Sequence, residues 1–329
     1  MRKKISAINT LIMSVGRKTP LIFSFQKAYK KLKIKGKIIG IDADKYAVGL
    51  QFVDIAKIVP LYNDQVFLNT FKKLLKQFKI DLIIPTSDDD LYFLNKYRNE
   101  LNDLPLKIII SSEQVIAFNK DKNNFFEFCK KHSIPTLKIF PLEKLRSQEK
   151  LPFPFFINSA KGKGSRFAQK IENHEELRFF LKVTPKPIVS QFIDGQEYSV
   201  DCFCDFDGKI ISIIPRQRLF TWGGEAFVTQ TKKNKIIIKA TQDFLEKISC
   251  CGPTNIQCFL TKQNEVVFFE INPRFGGASR LSFEAGANTP KYLLQLFMGQ
   301  KIPSRIGQFK DNFTMLRFKD DLFIDAKKL

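Results

Sequence analysis

Hydrophobic residues in the first third of the chain fall in short runs that alternate with amphipathic stretches. The runs predict strands at residues 7–14, 37–42, 81–85 and 107–111, and the amphipathic stretches predict helices at 20–33 and 68–78. A repeated strand and helix order predicts a parallel sheet with helices on both faces. On such a sheet, ligands bind at the carboxyl ends of the strands.

Polar loops follow three of these predicted strands, at residues 14–17, 42–44 and 86–90. The first loop contains Gly16 but lacks the G-x-G-x-x-G spacing of a dinucleotide-binding loop. In the third loop, Ser87 and Asp90 have the spacing of a helix capping box. Capping is one interpretation of this loop, and direct contact with a substrate is the other.

The second part of the chain has a different pattern. A helix is predicted at residues 113–132, and it ends before Pro135 because the residue that precedes a proline disfavours helical conformation. Beyond residue 152, alternating hydrophobic positions and turn residues at 205–208 and 262–264 predict antiparallel hairpins. The prediction is an α/β head followed by an α+β region.

The net charge and the small numbers of histidine and cysteine limit the classes of function that the sequence supports. Lys and Arg number 54 against 33 Asp and Glu, which gives a net charge of +21 and suits an anionic partner. The excess is spread along the chain without a basic block interleaved with aromatics, so nucleic-acid binding is disfavoured. The two histidines and six cysteines lack the spacing of a zinc site. With only two histidines in the sequence, a catalytic triad that depends on histidine is disfavoured.

The cysteines and the apolar runs also predict the cellular compartment of the protein. Cysteines without a disulfide pattern indicate a reducing compartment, and we expect a cytoplasmic protein. No apolar run is long enough to predict a membrane span. The first residues lack the cleavage site of a signal peptide.

A glycine-bearing loop at residues 160–166 lies between two predicted strands. Gly162 and Gly164 allow backbone N–H groups to approach an anion closely, and the three basic side chains of the loop add positive charge. The spacing G-x-x-x-x-G-K is missing, so this is not a Walker loop. The loop is either a phosphate-binding segment or a basic hairpin turn.

The segment at residues 187–201 joins two apolar strands through a polar turn. An adenine ring can use main-chain groups near Gln191 and Ile193, with Glu197 placed for ribose hydroxyls. The alternative is an ordinary hairpin in which Glu197 is solvated.

The sequence from Glu270 to Arg274, Glu-Ile-Asn-Pro-Arg, directly follows a predicted strand. Residues two apart on a strand share a face, so Glu270 and Asn272 can offer oxygens to one cation, and Gln257 on the preceding strand adds a third. Carboxylate and amide oxygens suit Mg²⁺ that is shared with phosphates. Arg274 would then stabilise charge on a transferring phosphoryl group.

The order of these motifs along the chain resembles the ATP-grasp superfamily and, within it, the group of single-unit ligases similar to the carbamoyl phosphate synthetase large chain. The resemblance implies a Rossmann-like pre-ATP-grasp domain at 1–112, a first ATP-grasp subdomain with a phosphate lid at 113–186, a second subdomain with the metal site at 187–307, and a tail at 308–329. Whether the tail is a closing strand or an interface stays open.

The resemblance also implies roles for single residues. The positions that match the ATP site are Lys122, Asn158, Lys161, Lys163, Ser165, Gln191, Ile193 and Glu197. Those that match the ligands of two Mg²⁺ ions, for which Mn²⁺ can substitute, are Gln257, Glu270 and Asn272. Those that match positions near an acyl phosphate are Arg274, Arg216 and Arg218.

Asn158 departs from the family, which usually has a lysine there. A charge-assisted contact to phosphate contributes about 1.5–3 kcal/mol, so we expect weaker ATP binding or slower transfer. Lys161 or Lys163 can substitute from the lid.

These observations lead to one hypothesis and two alternatives. The hypothesis is an ATP- and Mg²⁺-dependent carboxylate ligase, whose acyl phosphate is captured by an amine or a similar nucleophile. A nucleotide-binding protein without turnover, suggested by Asn158, is the first alternative, and a polyanion-binding protein is the second.

We expect a small-molecule carboxylate and an amine as partners, and we expect the protein to bind neither a membrane nor nucleic acid. Whether the chain forms a homodimer stays open. We expect the substrate pocket between the head and the C-terminal region, near Arg17, Asp88, Arg216 and Glu225.

Overall fold

The computed structural model describes residues 7–147, 150–160 and 167–325. The strands are β1 (Thr10–Ile12), β2 (Ile38–Asp42), β3 (Ile55–Ile58), β4 (Leu82–Ile84), β5 (Lys107–Ile108), β6 (Ile139–Phe140), β7 (Phe155–Ser159), β8 (Gln169–Ile171), β9 (Pro187–Gln191), β10 (Gly195–Cys204), β11 (Ile210–Trp222), β12 (Glu225–Thr231), β13 (Gly252–Thr261), β14 (Val266–Asn272) and β15 (Thr314–Leu316). The helices are α1 (Thr19–Leu32), α2 (Phe67–Gln77), α3 (Asp88–Lys96), α4 (Arg98–Asn102), α5 (Glu113–Lys120), α6 (Lys122–Lys131), α7 (Leu142–Ser147), α8 (His174–Val183), α9 (Lys235–Leu245), α10 (Arg280–Glu284) and α11 (Thr289–Phe297), with a 3-10 helix at Val48–Phe52.

Strands β1 to β5 form a parallel sheet, the head sheet, in the order β3-β2-β1-β4-β5. Its central strand β1 is buried on both faces. Ile12 packs in a core with Phe25 of α1, whereas Leu11 packs in a second core with Phe71 of α2 and Leu91 of α3. The predicted parallel sheet with helices on both faces is confirmed.

The helix predicted at residues 113–132 is two helices, α5 and α6, so the prediction of one helix is wrong. Asp121 between them is extended, with φ −141° and ψ 116°, and its carboxylate accepts a hydrogen bond from the Asn123 N–H at 3.0 Å. This local bond caps α6 and interrupts the helix, although the amphipathic pattern continues across it. Lys122 therefore stands on the first turn of α6.

The second sheet, here called the central sheet, is antiparallel with the order β14-β13-β10-β11-β12-β15. The predicted hairpins at 205–208 and 262–264 connect β10 to β11 and β13 to β14. Both turns use the left-handed region, at Gly208 with φ 85° and Asn264 with φ 62°. After Gln308, the chain supplies the edge strand β15, which pairs with β12.

The third sheet, the small sheet, has the antiparallel order β6-β9-β7-β8. Strands β7 and β8 pair on either side of the glycine loop, whose residues 161–166 lie outside the described residues. Strand β9 belongs to the small sheet and β10 to the central sheet, so the segment between them crosses from one sheet to the other. The hairpin interpretation of residues 187–201 is therefore wrong.

The head and the central sheet share a hydrophobic core. The cluster around Ile12 also contains Phe203 of β10, Ile214 of β11 and Leu293 of α11. The predicted domain boundaries stay a prediction. Within the described ranges, no helix is long and apolar enough to cross a membrane.

Candidate active site on the central sheet

The central sheet has one apolar and one polar face. Tyr198 and Val200 of β10 point into the core, so Ser199 and Asp201 point to the opposite face because side chains alternate along a strand. Across the ladder, Gln257 lies opposite Ser199. The polar face thus collects oxygen- and nitrogen-bearing side chains from adjacent strands.

The predicted metal ligands come together on this face. Gln257 is in register with Glu270. The Asn272 Nδ2 donates to Glu270 Oε1 at 2.9 Å, and the Lys122 Nζ lies 3.5 Å from Glu270 Oε2. The structure places these four residues next to one another; their roles toward metal and ATP stay a prediction.

The donor set fits Mg²⁺ that is shared with phosphates. It consists of one carboxylate, from Glu270, and the side-chain amides of Gln257 and Asn272. Among the described side chains there is no group of three or more His, Cys, Asp and Glu that could hold a metal ion. A hard cation with one carboxylate takes its remaining oxygens from water and substrate phosphates, which is how Mg²⁺ is usually bound with nucleotides.

Arg274 connects this group to the head. Its Nε donates to Asp88 Oδ1 at 2.7 Å, and its Nη2 donates to Asn272 Oδ1 at 3.3 Å. Asp88 is the first residue of α3, where Ser87 and Asp90 form the predicted capping box. The capping interpretation of this loop is confirmed, and the cap fixes Asp88 opposite Arg274.

Asn119 of α5 is a member of this group that the sequence analysis missed. Its Nδ2 donates to Asn272 Oδ1 at 3.0 Å, and its Oδ1 accepts from the Tyr92 hydroxyl at 3.0 Å. No motif marks Asn119, and the only signal was its position shortly before Lys122. The spacing of Asp88 and Tyr92, four residues apart on one helix, could have indicated that α3 presents both to one neighbour.

Glu197 is held against Arg218 rather than solvated. The Arg218 Nε lies 3.0 Å from Glu197 Oε1. Burial raises the pKa of the Glu197 carboxyl; Arg218 opposes this rise, and the charge of Glu270 adds to it. Glu197 and Glu270 therefore lie on the same face of the central sheet, and the ribose role of Glu197 stays a prediction.

The remaining predicted ATP residues lie on or beside the small sheet. The Gln191 N–H donates to the Lys138 carbonyl at 2.9 Å, and Ile193 lies in the segment that crosses between the sheets. Asn158 on β7 accepts a hydrogen bond from the Ser159 N–H on its Oδ1 at 2.8 Å. Lys161, Lys163 and Ser165 lie outside the described residues.

Arg216 is buried, unlike Arg274. It is 2% exposed, and its Nε and Nη2 donate to Asp201 Oδ2 and Oδ1 at 2.7 and 3.1 Å. Asp201 also accepts from Asn255, Ser279 and Ser282 at 2.8, 2.9 and 2.6 Å. This placement favours a structural role for Arg216 over the predicted contact with an acyl phosphate.

Charged residues of the expected substrate pocket surround Lys18, where the head meets the central sheet. Burial lowers the pKa of Lys18, as does Arg274, while the charges of Asp88 and Glu225 raise it. Glu225 accepts from Arg317 Nη1 at 2.5 Å and lies 3.9 Å from Arg17 Nη2. Arg17 and Glu225 of the expected pocket therefore lie close to each other, and the charges of Asp88 and Glu225 both act on Lys18, whereas the buried Arg216 pairs with Asp201.

Cavity volume does not identify the site. A cavity of about 640 Å³ lies elsewhere, where Arg98 and Ser112 of the head meet Phe206 and Cys251. A second, of about 330 Å³, is lined by residues that include Asp121 and Ala160, next to the start of α6 and of the glycine loop. The site is defined by its polar contacts instead.

Comparison with known families matches two parts of the chain. Residues 184–319 match a family described as ATP-grasp in the biosynthetic pathway with Ter operon. Residues 10–109 match the PylC-like N-terminal domain. The carbamoyl phosphate synthase large chain of Thermoanaerobacter is 26% identical over 219 residues, which is 60% of this chain and 20% of that protein. The chain thus spans about a fifth of the length of this curated relative.

Solved structures are similar over nearly the whole chain. Biotin carboxylase from Campylobacter jejuni superimposes with a TM-score of 0.72 at 14% identity, covering 93% of this chain and 74% of that one. N5-carboxyaminoimidazole synthetase from Staphylococcus aureus gives 0.69 at 16% identity, covering 90% and 79%. L-amino acid ligase from Bacillus licheniformis gives 0.69 at 20% identity, covering 93% and 78%.

These similarities define an α/β head joined to an ATP-grasp fold. Residues 184–319 match an ATP-grasp family, and the chain is similar to the carbamoyl phosphate synthase large chain. The resemblance drawn from the sequence motifs is confirmed.

Proposed function

We propose that the chain is an ATP- and Mg²⁺-dependent ligase that joins a small-molecule carboxylate to an amine or a similar nucleophile. The observation that carries the proposal is the group formed by Gln257, Glu270, Asn272 and Arg274 on the polar face, beside the head. The similar solved structures include an L-amino acid ligase and a carboxylase, which supports this reaction class. The match to a biosynthetic ATP-grasp family supports a small-molecule product.

In the proposed reaction, an oxygen of the substrate carboxylate attacks the γ-phosphorus of ATP, and the bond to ADP breaks. The nucleophile then attacks the acyl carbon and expels phosphate. Glu270 and the two amides would hold Mg²⁺, which when bound neutralises phosphate charge. Lys122 and Arg274 supply fixed positive charge next to these ligands, so the protein acts mainly by positioning and electrostatics.

The test is ADP release with Mg-ATP and a panel of carboxylates and amines, with the products followed by mass. We expect substrate-dependent ADP release and a condensed product from the wild type. Glu270→Gln should lower the rate about 100-fold or more, because it removes the one carboxylate of the set. Glu265→Gln, at an exposed position of the hairpin before β14, is the matched control and should keep the rate.

A Glu270→Gln variant with the full ligation rate would contradict the proposal. The second candidate, a nucleotide-binding protein without turnover, is favoured by the Asn158 contact, because the amide oxygen is engaged with the Ser159 N–H and no lysine stands there. Nucleotide binding without ADP release under every combination would support it, and Asn158→Lys is then the variant to measure.

A further inference from the structure

The head sheet has a topological switch between β1 and β4. Strands β2 and β3 lie on one side of β1, and β4 and β5 lie on the other. Helix α1 packs on one face of the sheet, and α3 packs on the opposite face. The loops after β1 and β4, at residues 13–18 and 85–87, therefore leave the sheet in opposite directions and open a crevice, here called the head crevice. Ligands of open α/β sheets bind in such a crevice.

Hydrogen bonds hold the two loops of the head crevice in place. Ser14 has φ 45°, in the left-handed region that a residue other than glycine adopts at an energetic cost. Its Oγ donates to Asp90 Oδ1 at 2.5 Å, and Asp90 Oδ2 accepts from the Thr86 and Ser87 N–H groups at 2.7 and 2.9 Å. The fully buried carboxylate of Asp90 thus fixes both loops.

Two further carboxylates border the head crevice, and each is paired with an arginine. Asp88, at the start of α3, accepts from the Arg274 Nε at 2.7 Å. Glu225, at the start of β12, accepts from the Arg317 Nη1 at 2.5 Å and lies 3.9 Å from the Arg17 Nη2. The negative charges at the border are therefore already compensated.

Lys18, at the end of the first loop, has no such partner. It is the N-cap residue of α1 and is half-buried. Among the residues that the structure describes, no carboxylate oxygen lies within 4.0 Å of its Nζ. Burial and the charge of Arg274 lower the pKa of Lys18, and nearby carboxylates oppose this without outweighing it. The chain leaves this ammonium without a counterion, and an anionic ligand would supply one.

We propose that Lys18 is a specificity-determining residue whose ammonium binds a second anionic group of the substrate, a carboxylate or a phosphate, in the head crevice. The inference rests on the proposed function, because it takes Arg274 to lie beside the carboxylate that ATP phosphorylates. Lys18 then holds the anionic group that does not react. The substrate class is a carboxylate that carries a second anionic group.

The test traps the acyl phosphate with hydroxylamine, so it does not depend on the natural nucleophile. A carboxylate oxygen attacks the γ-phosphorus of ATP and ADP leaves; the hydroxylamine nitrogen then attacks the acyl carbon and expels phosphate, which gives a hydroxamate that is measured by mass. The full chain is assayed with three matched pairs of acids: butyrate and succinate, pentanoate and glutarate, glycerate and 3-phosphoglycerate.

We expect kcat/KM to be about 10-fold or more higher for the acid with the second anionic group, because a charge-assisted contact adds to its binding. A preference seen only with 3-phosphoglycerate identifies the second group as a phosphate, and one seen only with the dicarboxylates identifies it as a carboxylate.

Variants of Lys18 test whether it causes this preference. Lys18→Met removes the charge and should lower kcat/KM for the preferred acid about 10–100-fold, mainly through KM, because the contact is equally strong before and during the reaction. Lys18→Arg keeps the charge and should retain part of the preference. Lys31→Met makes the same chemical change at an exposed position of the same helix and should leave the preference unchanged. Thermal unfolding shows whether each variant folds, and Lys18→Gln replaces Lys18→Met if that variant does not.

Equal losses of kcat/KM for both acids of a pair in Lys18→Met would overturn the inference and leave the proposed function intact. A wild type that prefers the acid with one anionic group in every pair would do the same. Hydroxamate from none of the six acids, nor from the wider panel of carboxylates, would overturn the proposed function and this inference together.

Discussion

Asp201 illustrates how one buried side chain organises the neighbourhood of the candidate site. Its two oxygens accept from Arg216 on β11, from Asn255 on β13, and from Ser279 and Ser282 at the start of α10. Asn255 lies opposite Asn272 in the ladder. The carboxylate therefore ties the loop after Asn272, which carries Arg274, to the middle of the central sheet.

Asp201→Asn should destabilise the chain by about 3–5 kcal/mol, because it leaves the buried Arg216 without its counterion. The measurement is urea unfolding at neutral pH. Asp207→Asn, in the exposed turn that follows β10, makes the same chemical change and should alter the unfolding free energy by less than about 0.5 kcal/mol. Similar losses of unfolding free energy for the two variants would show that the buried pair of Asp201 and Arg216 does not cause the destabilisation.

The same carboxylate makes stability depend on pH. Burial acts to raise the pKa of Asp201, but Arg216 and the hydroxyl and amide donors outweigh it, so the pKa lies below its ordinary value of 3.8. A lowered pKa in the folded state contributes stability above the ordinary value, and this is lost as pH falls through the folded value. The stability gap between wild type and Asp201→Asn should therefore narrow in acid below about pH 4. A gap that widens there would contradict this assignment.

At the scale of the element, α3 depends on its cap. The Asp90 N–H donates to Ser87 Oγ at 3.2 Å, and the Ser87 N–H donates to Asp90 Oδ2 at 2.9 Å. The cap satisfies donors that a helix start otherwise leaves unpaired. Since α3 also presents Asp88 and Tyr92, the first turn sets where the head meets Arg274 and Asn119.

Ser87→Ala should lower the unfolding free energy by about 1 kcal/mol, the usual effect of losing an N-cap side chain. Ser112→Ala is the control, because Ser112 is the N-cap of α5 but makes no capping bond with its side chain, and its Oγ is buried without a partner among the residues that the structure describes. Ser112→Ala should change stability by less than about 0.5 kcal/mol. The measurement is denaturant unfolding of both variants. Equal losses of unfolding free energy would count against the capping interpretation.

Features that depend only on residues close together in the sequence could be predicted from it. The capping box at Ser87 and the hairpin turns at 205–208 and 262–264 depend on residues within a few positions of each other. The break at Asp121 is also local, but the continuing amphipathic pattern concealed it.

The crossing from β9 to β10 and the contact of Asn119 with Asn272 depend on residues far apart in the chain. Only the packed structure brings these together, since Asn119 and Asn272 are 153 positions apart. The motif residues Gln257, Glu270 and Asn272 were found because β-strand geometry fixes which side chains share a face. Asn119 has no such rule to mark it.

At the scale of the whole molecule, the hydrophobic cores divide the chain unequally. One cluster joins the head to the central sheet, from Ile12 to Phe203 and Leu293. The small sheet has a cluster of its own, which includes Phe155, Leu177 and Val189. Units with their own small cores open at lower free energy than those that share a large one.

We therefore expect the small sheet to open separately from the rest. In native-state amide hydrogen exchange, Leu177→Ala should speed exchange in β7, β9 and α8 alone, because deleting a buried leucine side chain costs about 2–5 kcal/mol and falls on that core. Phe203→Ala should speed exchange in both the head sheet and the central sheet, since its core spans them. Uniform acceleration by Leu177→Ala would show a single cooperative unit. Separate opening would show that β7 and β8, which flank the glycine loop, are coupled less tightly to the polar face than the head and the central sheet are to each other.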